Sequence, residues 1–315
     1  MFSASARLRA PGAAALVAAA LLALSACGES APRGESGAGA EGAVSVVDDA
    51  GRTVTLPHPA RRIVTLIPSA TETLVELGAK GAIAGRTDYD LGLGVDSLPS
   101  VGGGLDPSLE AIVSLRPDLV IGWETDGPAR LRDRLTSLGI PVFSIKTEDT
   151  TDVFRAIGNL GVLTGRGARA DSLAARVRGE LEAVRRSVAG RPRPKVFYLV
   201  WNDPPTTAGP KTFITQVIQV AGGEPVFPEV TALWPTVSLE ELVRRQPDHV
   251  IVPVGESGTA KLEELRRTPG WRELKGIEGA RALVVPSLLM NRPGPGIGAA
   301  ARRMRDALHP ELAGR

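Results

Sequence analysis

The stretch SLEAIVSLRPDLVI at residues 108–121 occurs again, nearly unchanged, as SLEELVRRQPDHVI at residues 238–251. Eight of the fourteen aligned positions are identical. Around each copy the elements follow the same predicted order: a strand, a helix that ends at glycine, the repeated helix, and a strand that begins with Pro-Asp. Strands that alternate with helices predict a parallel sheet covered on both faces. The repeat therefore predicts an α/β protein with two lobes of one design.

Between the two halves the alternation stops and two helical segments follow one another. In the second segment, a helix of roughly 22 residues, apolar residues recur every three or four positions and form one apolar face. These residues are Leu173, Val177, Leu181, Val184 and Val188. The predicted domains are an N-terminal α/β lobe at 44–166, a single long bridging helix at 167–190 and a C-terminal α/β lobe at 191–315.

The first 26 residues have the layout of an export signal: two arginines, a short apolar run and then small residues. The run is shorter than the roughly 20 apolar residues of a membrane-spanning helix. It ends in LSAC, which resembles the lipobox of bacterial lipoproteins and contains the only cysteine, Cys27. We expect a lipoprotein signal peptide at 1–26, lipidation at Cys27 and a flexible tether at 27–43. The alternative is an ordinary secretory signal with an incidental cysteine.

The composition argues against several classes of function. Apolar residues make up 43% and charged residues 23% of the chain, as in a globular protein. The formal charge of +2 comes from the two arginines of the signal, because the other 35 basic residues equal the 35 acidic ones. Basic patches do not alternate with aromatic residues, so we expect no nucleic-acid binding.

Candidate catalytic groups are sparse. His58, His249 and His309 are too scattered along the chain for a metal cluster, so we interpret them as surface or core residues. The stretch GPGIGAA at 294–300 lacks the GxGxxG spacing of a dinucleotide-binding turn and is interpreted as a loop before the last helix. We expect no enzymatic activity, no metal site and no cofactor of the protein's own.

The few aromatic residues fall at informative places. The chain is only 4% aromatic, yet Tyr89, Trp123, Trp201 and Trp234 lie at predicted strand ends or in loops. In open α/β sheets, ligands bind outside the carboxyl ends of the strands. We therefore expect these side chains, two from each half, to line a ligand cleft between the lobes. Packing at the bases of loops is the alternative.

The repeat also places one glutamate, Glu110 or Glu240, in the first turn of a helix in each lobe. The helix macrodipole favours a carboxylate there, and Ser238 with Glu241 fits a capping box, so local stability is one explanation. Local stability does not require the same residue in both lobes. The second explanation is that the two carboxylates dock on a two-fold symmetric partner that carries basic residues.

Several stretches together are similar to a known family: RRIVTLIPSATETLVELGA at 61–79, GRTDYD at 85–90, LPSVGGGLDPSLEAIVSLRPDLVIGW at 98–123, AGPKTFITQVIQVAGGEPVF at 208–227 and WPTVSLEELVRRQPDHVIV at 234–252. They resemble the substrate-binding proteins of bacterial ABC importers for cobalamin, ferric siderophores and haem. The resemblance extends from about Arg61 to the last helix and is closest to the cobalamin-binding members. It implies two Rossmann-like lobes bridged by one rigid helix, as in the helical-backbone type of metal-chelate receptor.

The resemblance assigns roles to individual residues. Tyr89, Trp123 and Trp234 match aromatic residues of the ligand cleft, and Arg292 matches an arginine that contacts the ligand. Two positions depart from the cobalamin-binding pattern. A cleft tryptophan is replaced by Gly104, and an acidic residue four positions before the arginine is replaced by Leu288.

The resulting hypothesis is an exported lipoprotein that binds cobalamin or a related corrinoid and delivers it to an ABC permease and ATPase complex. Glu110 and Glu240 match the two glutamates that pair with arginines of the permease. We expect a monomer, anchored through Cys27 at the periplasmic or extracytoplasmic face of a membrane, with the lipid as its only membrane contact.

Three alternatives remain open at this stage. The first is a ferric-siderophore or haem substrate-binding protein, in which Tyr89 is a candidate iron ligand. The second is an exported α/β metal-dependent hydrolase, against which the absence of a His/Asp/Glu cluster argues. The third is a purely structural surface lipoprotein.

Overall fold

Two four-stranded parallel sheets, one from each half of the sequence, form the centre of the fold. The structure is a computed structural model that describes residues 42–124, 129–255 and 258–314. The expected signal peptide, Cys27 and all but the last two residues of the expected tether lie outside these ranges.

The first half contains the strands β1 (Val44–Val47), β2 (Thr53–Leu56), β3 (Ile63–Thr65), β4 (Ile83–Gly85), β5 (Leu119–Trp123) and β6 (Val142–Ile145). β1 and β2 pair as an antiparallel hairpin, and the other four form a parallel sheet in the order β4-β3-β5-β6. All of β3 and the first four residues of β5 are buried. Continuous burial is what a parallel sheet covered on both faces requires.

The second half contains β7 (Lys195–Tyr198), β8 (Trp201–Asn202), β9 (Pro205–Thr206), β10 (Glu224–Pro225), β11 (His249–Val254) and β12 (Ala282–Pro286). Its parallel sheet has the order β10-β7-β11-β12, and β8 and β9 form a separate hairpin. In each sheet the first strand lies between a short edge strand and the strand that follows the repeated helix. The matching orders confirm two α/β lobes of one design.

Ten α-helices connect and cover the sheets in the described part of the chain. They are α1 (Pro68–Glu76), α2 (Leu109–Ser114), α3 (Ala129–Ser137), α4 (Thr150–Leu163), α5 (Gly167–Ser187), α6 (Phe213–Val220), α7 (Leu239–Arg245), α8 (Ala260–Arg267), α9 (Ser287–Met290) and α10 (Ile297–Leu308). Short 3-10 helices cover Lys80–Ala82, Trp271–Glu273, Lys275–Ile277, Gly279–Arg281 and Pro310–Leu312. Among the residues described, no helix combines the length and apolarity needed to cross a bilayer.

The repeated segment is held in the same way in both lobes. The hydroxyls of Ser108 and Ser238 each accept a backbone hydrogen bond of 3.2 Å and so cap α2 and α7. Asp118 accepts from the two backbone N–H groups that precede β3, at 2.8 and 3.0 Å, and Asp248 accepts from the first N–H of β7, at 2.7 Å. The Pro-Asp pair of each copy therefore ties its strand to the first strand of the same lobe.

The helix α5 joins the two lobes. Its predicted apolar face is buried along its whole length, from Leu173 to Val188. α5 packs against α4 on the side of the first lobe and against α10 on the side of the second. Arg176 donates to Glu76 of α1 at 3.0 Å, and Glu180 lies 3.3 Å from Arg302 of α10. These ion pairs connect the helix to both lobes.

Three element boundaries differ from the sequence prediction. The predicted strand KVFYLVW ends at Tyr198, because the N–H of Val200 donates to Thr206 and the chain turns into the hairpin that Trp201 begins. Pro68 is the first residue of α1 rather than part of a loop, since its fixed φ suits that position. Pro107 precedes the cap of α2 instead of lying in its first turn.

Candidate functional site

Residues from both lobes enclose two adjoining cavities of about 630 and 550 Å³. Much of their lining comes from the carboxyl ends of strands and the residues directly after them, as expected for open parallel sheets. Four residues line both cavities: Trp123, Ser287, Asn291 and Pro293. Because the cavities share this wall, we treat them as two compartments of one cleft.

The larger compartment holds three of the four predicted aromatic residues. Trp123 is the last residue of β5, where its backbone pairs with Ile145 of β6. Trp201 begins the hairpin after β7, is 61% exposed and donates its indole N–H to the carbonyl of Asp203 at 2.8 Å. Trp234, 47% exposed, lies in the loop before α7. Exposed indole rings that line a cavity are available to stack on a flat ligand.

The smaller compartment contains Tyr89 and Arg292. Tyr89 is 64% exposed and follows β4, while Arg292 lies in the loop between α9 and α10. Leu105 and Leu288, both largely exposed, add apolar surface. All five residues expected to contact a ligand thus lie in the cleft, and their role in binding stays a prediction.

The structure leaves little room for a side chain at Gly104, the position that matches a cleft tryptophan of the cobalamin-binding proteins. A Cβ at this position would lie 2.5 Å from the carbonyl oxygen of Leu66 and 3.5 Å from the indole nitrogen of Trp123. The backbone approaches too closely for a side chain to fit without movement. A tryptophan at this position would therefore require the chain around Leu66 to move.

Arg292 lies at a contact between the lobes. Its guanidinium donates to the carbonyl of Leu91 at 3.3 Å. Beside it, Glu72 of α1 faces the turn before α10, where a Cβ at Gly294 or Gly296 would lie 2.6 or 2.7 Å from its carboxylate oxygens. Burial raises the pKa of Glu72, and the nearby charge of Arg292 opposes that rise. The glycines therefore make room for a carboxylate of the opposite lobe.

Charged residues that line the larger compartment did not stand out in the sequence. Glu124, Lys146 and Glu148 follow the ends of β5 and β6, and Lys261 comes from α8. The rule that ligands bind at carboxyl ends of strands applies to the first three as it does to Trp123.

The two glutamates of the repeat have equivalent environments. Glu110 and Glu240 lie in the first turns of α2 and α7, and both are exposed. Neither makes a side-chain hydrogen bond or an ion pair with any residue that the structure describes. In the second copy Glu241, next to Glu240, pairs with Arg245 at 2.6 Å, so only the Ser238 half of the expected capping box forms. Hydrogen bonds and ion pairs within the described residues therefore do not explain why a glutamate occurs at this position in both copies of the repeat.

Across the described residues, no group of three or more His, Cys, Asp or Glu side chains is arranged to hold a metal ion. His309 is buried beside the C-terminus, with its Nδ1 3.7 Å from Glu311, while His58 and His249 bond to backbone carbonyls.

Over residues 63–284 the sequence matches the periplasmic binding protein family. The chain belongs to this family. Members of it are substrate-binding components of ABC importers, so the chain is a substrate-binding protein and not an enzyme. The two-lobe α/β fold is the fold of these receptors.

This chain is also similar to individual proteins, in sequence or in fold. The cobalamin-binding protein of Halobacterium salinarum is 32% identical over 276 residues, which cover 84% of this chain and 74% of that protein. The periplasmic vitamin B12 binding protein of Vibrio cholerae has the same fold, with a TM-score of 0.68 at 23% identity, over 81% of this chain and 99% of that one. A periplasmic haem-binding protein of Pseudomonas aeruginosa has a TM-score of 0.72 at 24% identity, over 80% and 93%.

Proposed function

We propose that this protein binds cobalamin or a related corrinoid in the cleft between its lobes and delivers it to an ABC importer. The observation that carries the proposal is the pair of compartments that share Trp123. Both lobes contribute aromatic residues to this cleft, and its two compartments together exceed the roughly 1,000 Å³ upper range of ordinary small-molecule pockets. A cleft of this size and lining suits a large, flat and partly apolar ligand.

The relatives support the choice of ligand class. The protein from Halobacterium salinarum, 32% identical over most of this chain, is named for cobalamin binding. The cleft supplies what a corrinoid needs: aromatic faces for the ring, and a few polar groups for its periphery.

A haem or ferric chelate is the second candidate, and Tyr89 favours it. Its phenol is 64% exposed and lines the smaller compartment, so its oxygen is accessible to an iron atom. Arg292 in the same compartment suits a ligand carboxylate.

Docking on the permease through Glu110 and Glu240 is part of the proposal. Among the identical positions of the repeat, the serines cap helices, the aspartates bind backbone N–H groups, and the valines and isoleucines at the strand starts are buried. The glutamates alone are exposed and make no polar contact within the described residues. One exposed carboxylate at the same point of each lobe fits a two-fold arrangement of basic residues on a partner.

Export and lipid anchoring complete the proposal. A signal at 1–26, lipidation at Cys27 and a tether to residue 43 would hold a monomeric receptor at the extracytoplasmic face of a membrane. Mass spectrometry of the protein from its native membrane tests this, because a diacylglyceryl group on Cys27 as the first residue is expected and an unmodified Cys27 contradicts it.

Titration followed by visible absorbance tests which of the candidate ligands the protein binds. The full chain is mixed with cobalamin, haemin and a ferric hydroxamate in separate experiments, and the wild type is compared with Tyr89→Phe. We expect saturable binding of cobalamin that survives the substitution. Tight haemin binding with bands that depend on Tyr89, without binding of cobalamin, would show that the second candidate is correct.

A further inference from the structure

Two polar side chains, Ser287 and Asn291, lie beside Trp123 in the wall that both compartments share. Ser287 is the first residue of α9, and the N–H of Asn291 donates to its carbonyl at 2.8 Å. A spacing of four residues along a continuous helical turn places the two side chains on one face. The hydroxyl of Ser287 makes no hydrogen bond to any residue that the structure describes. Both polar groups are therefore available to a ligand in either compartment.

Tyr198 fixes which end of the Asn291 amide faces the cleft. It is the last residue of β7, is 2% exposed, and donates its hydroxyl proton to Oδ1 of Asn291 at 2.6 Å. Burial raises the pKa of Tyr198, so the hydroxyl keeps its proton. Among the described residues it has no other acceptor, and turning the amide by a half rotation would leave a buried donor unpaired. Nδ2 is consequently the end that remains free to donate.

The shared wall is uncharged. Arg292 lines only the smaller compartment. Its guanidinium donates to the carbonyl of Leu91 and lies near Glu72, and neither of these residues lines a compartment. Lys146 and Lys261 line only the larger one. A fixed amide donor next to a hydroxyl that can accept matches the two ends of a neutral carboxamide, whose carbonyl accepts and whose N–H donates.

We infer that Asn291 and Ser287 form a recognition pair for a carboxamide on the ligand, with Tyr198 as the positioning residue that orients Asn291. The inference rests on the proposed function and sharpens it. A corrin ring carries carboxamide side chains at its edge, whereas haem carries carboxylates. Because the shared wall has no cation to pair with a carboxylate, the pair favours the neutral carboxamides of a corrinoid over the carboxylates of haem.

The substitution Asn291→Asp tests the pair with little change of shape. The aspartate still accepts from Tyr198, but it turns an acceptor toward the cleft where the amide presented a donor. We expect calorimetric titration with cobalamin to show an affinity lower by about tenfold or more, because the ligand carbonyl then faces an unpaired like group. Asn159→Asp in α4 is the matched control, since it introduces the same charge at an asparagine that lines neither compartment. Its effect should stay within about threefold.

A double-mutant cycle that combines Tyr198→Phe with Asn291→Asp tests the role of Tyr198. Tyr198→Phe removes the hydroxyl that orients the amide, so Asn291→Asp should cost less affinity in that background than in the wild type. Additive effects of the two substitutions, or binding by Asn291→Asp within about twofold of wild type, would overturn the inference. These outcomes are separate from failure of the proposed function. If the wild type itself does not bind cobalamin, the proposed function fails, and the carboxamide assignment fails with it.

Discussion

At the scale of single residues, we expect ligand binding to depend most on Trp123, because this side chain lines both compartments. We expect Trp123→Ala to lower the affinity for cobalamin by about 30-fold or more, which is the loss seen when a central aromatic anchor of about 2 kcal/mol is removed. Trp123→Phe keeps an aromatic face and should retain most of the binding. Isothermal titration calorimetry measures both.

The control for this prediction is Trp271, which is 2% exposed and packs edge-to-face on Phe197 with ring centroids 5.9 Å apart. Trp271→Ala should cost about 3–5 kcal/mol of unfolding free energy and leave the affinity of the folded fraction unchanged. If Trp123→Ala instead lowered stability to the same extent and bound cobalamin normally, Trp123 would be a core residue and not a ligand contact.

Glu72 is expected to make stability depend on pH. Burial raises its pKa in the folded state above the ordinary value of 4.5, although Arg292 opposes the shift. The folded chain therefore holds this proton more tightly than the unfolded chain. Stability from Glu72 is present below the unfolded pKa and is lost as the pH rises through the folded pKa.

The substitution Glu72→Gln removes that titration. Denaturant unfolding over a pH series should show a fall in wild-type stability that begins near pH 4.5 and is absent in the variant. At neutral pH the variant should be at least as stable as wild type. The same pH dependence in both proteins would show that Glu72 has an ordinary pKa.

Part of the cleft could be predicted residue by residue, and part could not. The aromatic residues could be predicted because they lie at strand ends or in loops, which is a local signal. Asn291 was missed because its orientation comes from Tyr198, 93 positions earlier in the chain. A side chain positioned by so distant a partner leaves no trace in local patterns.

At the scale of elements, the close packing of α4 on α5 depends on one glycine. A Cβ at Gly161 would lie 2.4 Å from the Cβ of Ala170, whereas a Cβ at Gly158, also in α4, would meet nothing within 4 Å. We expect Gly161→Ala to destabilise the protein by about 1–3 kcal/mol through overpacking. Gly158→Ala should stabilise it by about 0.5–1 kcal/mol, because alanine restricts the unfolded chain and favours the helix.

Chemical denaturation of the two variants measures these opposite effects. Because the residues are three positions apart in one helix, differences in helix propensity cancel and packing alone separates them. Equal free energies of unfolding for the two variants would show that α4 and α5 are less closely packed than described.

The elements with long periodic patterns were predictable, and the shortest ones were not. The apolar spacing of α5 identified its buried face because five residues repeat over more than four turns. The strands β8, β9 and β10 contain two residues each, too few to show any period. The sequence pattern therefore does not separate Trp201 from the end of β7.

At the scale of the whole molecule, the duplication was visible from the repeat alone, and it leads to a prediction about delivery. Replacing both Glu110 and Glu240 by alanine should lower permease-dependent uptake of cobalamin by about tenfold or more while the dissociation constant stays unchanged. Each single replacement should have an intermediate effect, since the lobes present equivalent carboxylates. Uptake of labelled cobalamin into cells measures this.

The charge-matched control replaces Asp133 of α3 and Glu278, which are exposed acidic residues outside the repeat. It should leave uptake unchanged. Equal uptake by the wild type and the double variant of the repeat would show that these glutamates do not dock on the permease.

The most direct test of the central claim is tryptophan fluorescence during titration with cobalamin. Three of the four tryptophans line the cleft, so a ligand bound there should quench most of the emission. We predict saturable quenching at one cobalamin per chain, beyond the absorption seen with free tryptophan, and much smaller quenching by haemin or a ferric hydroxamate at the same concentration. Saturable quenching by one of those chelates, with none by cobalamin, would contradict the assignment of a corrinoid to this cleft.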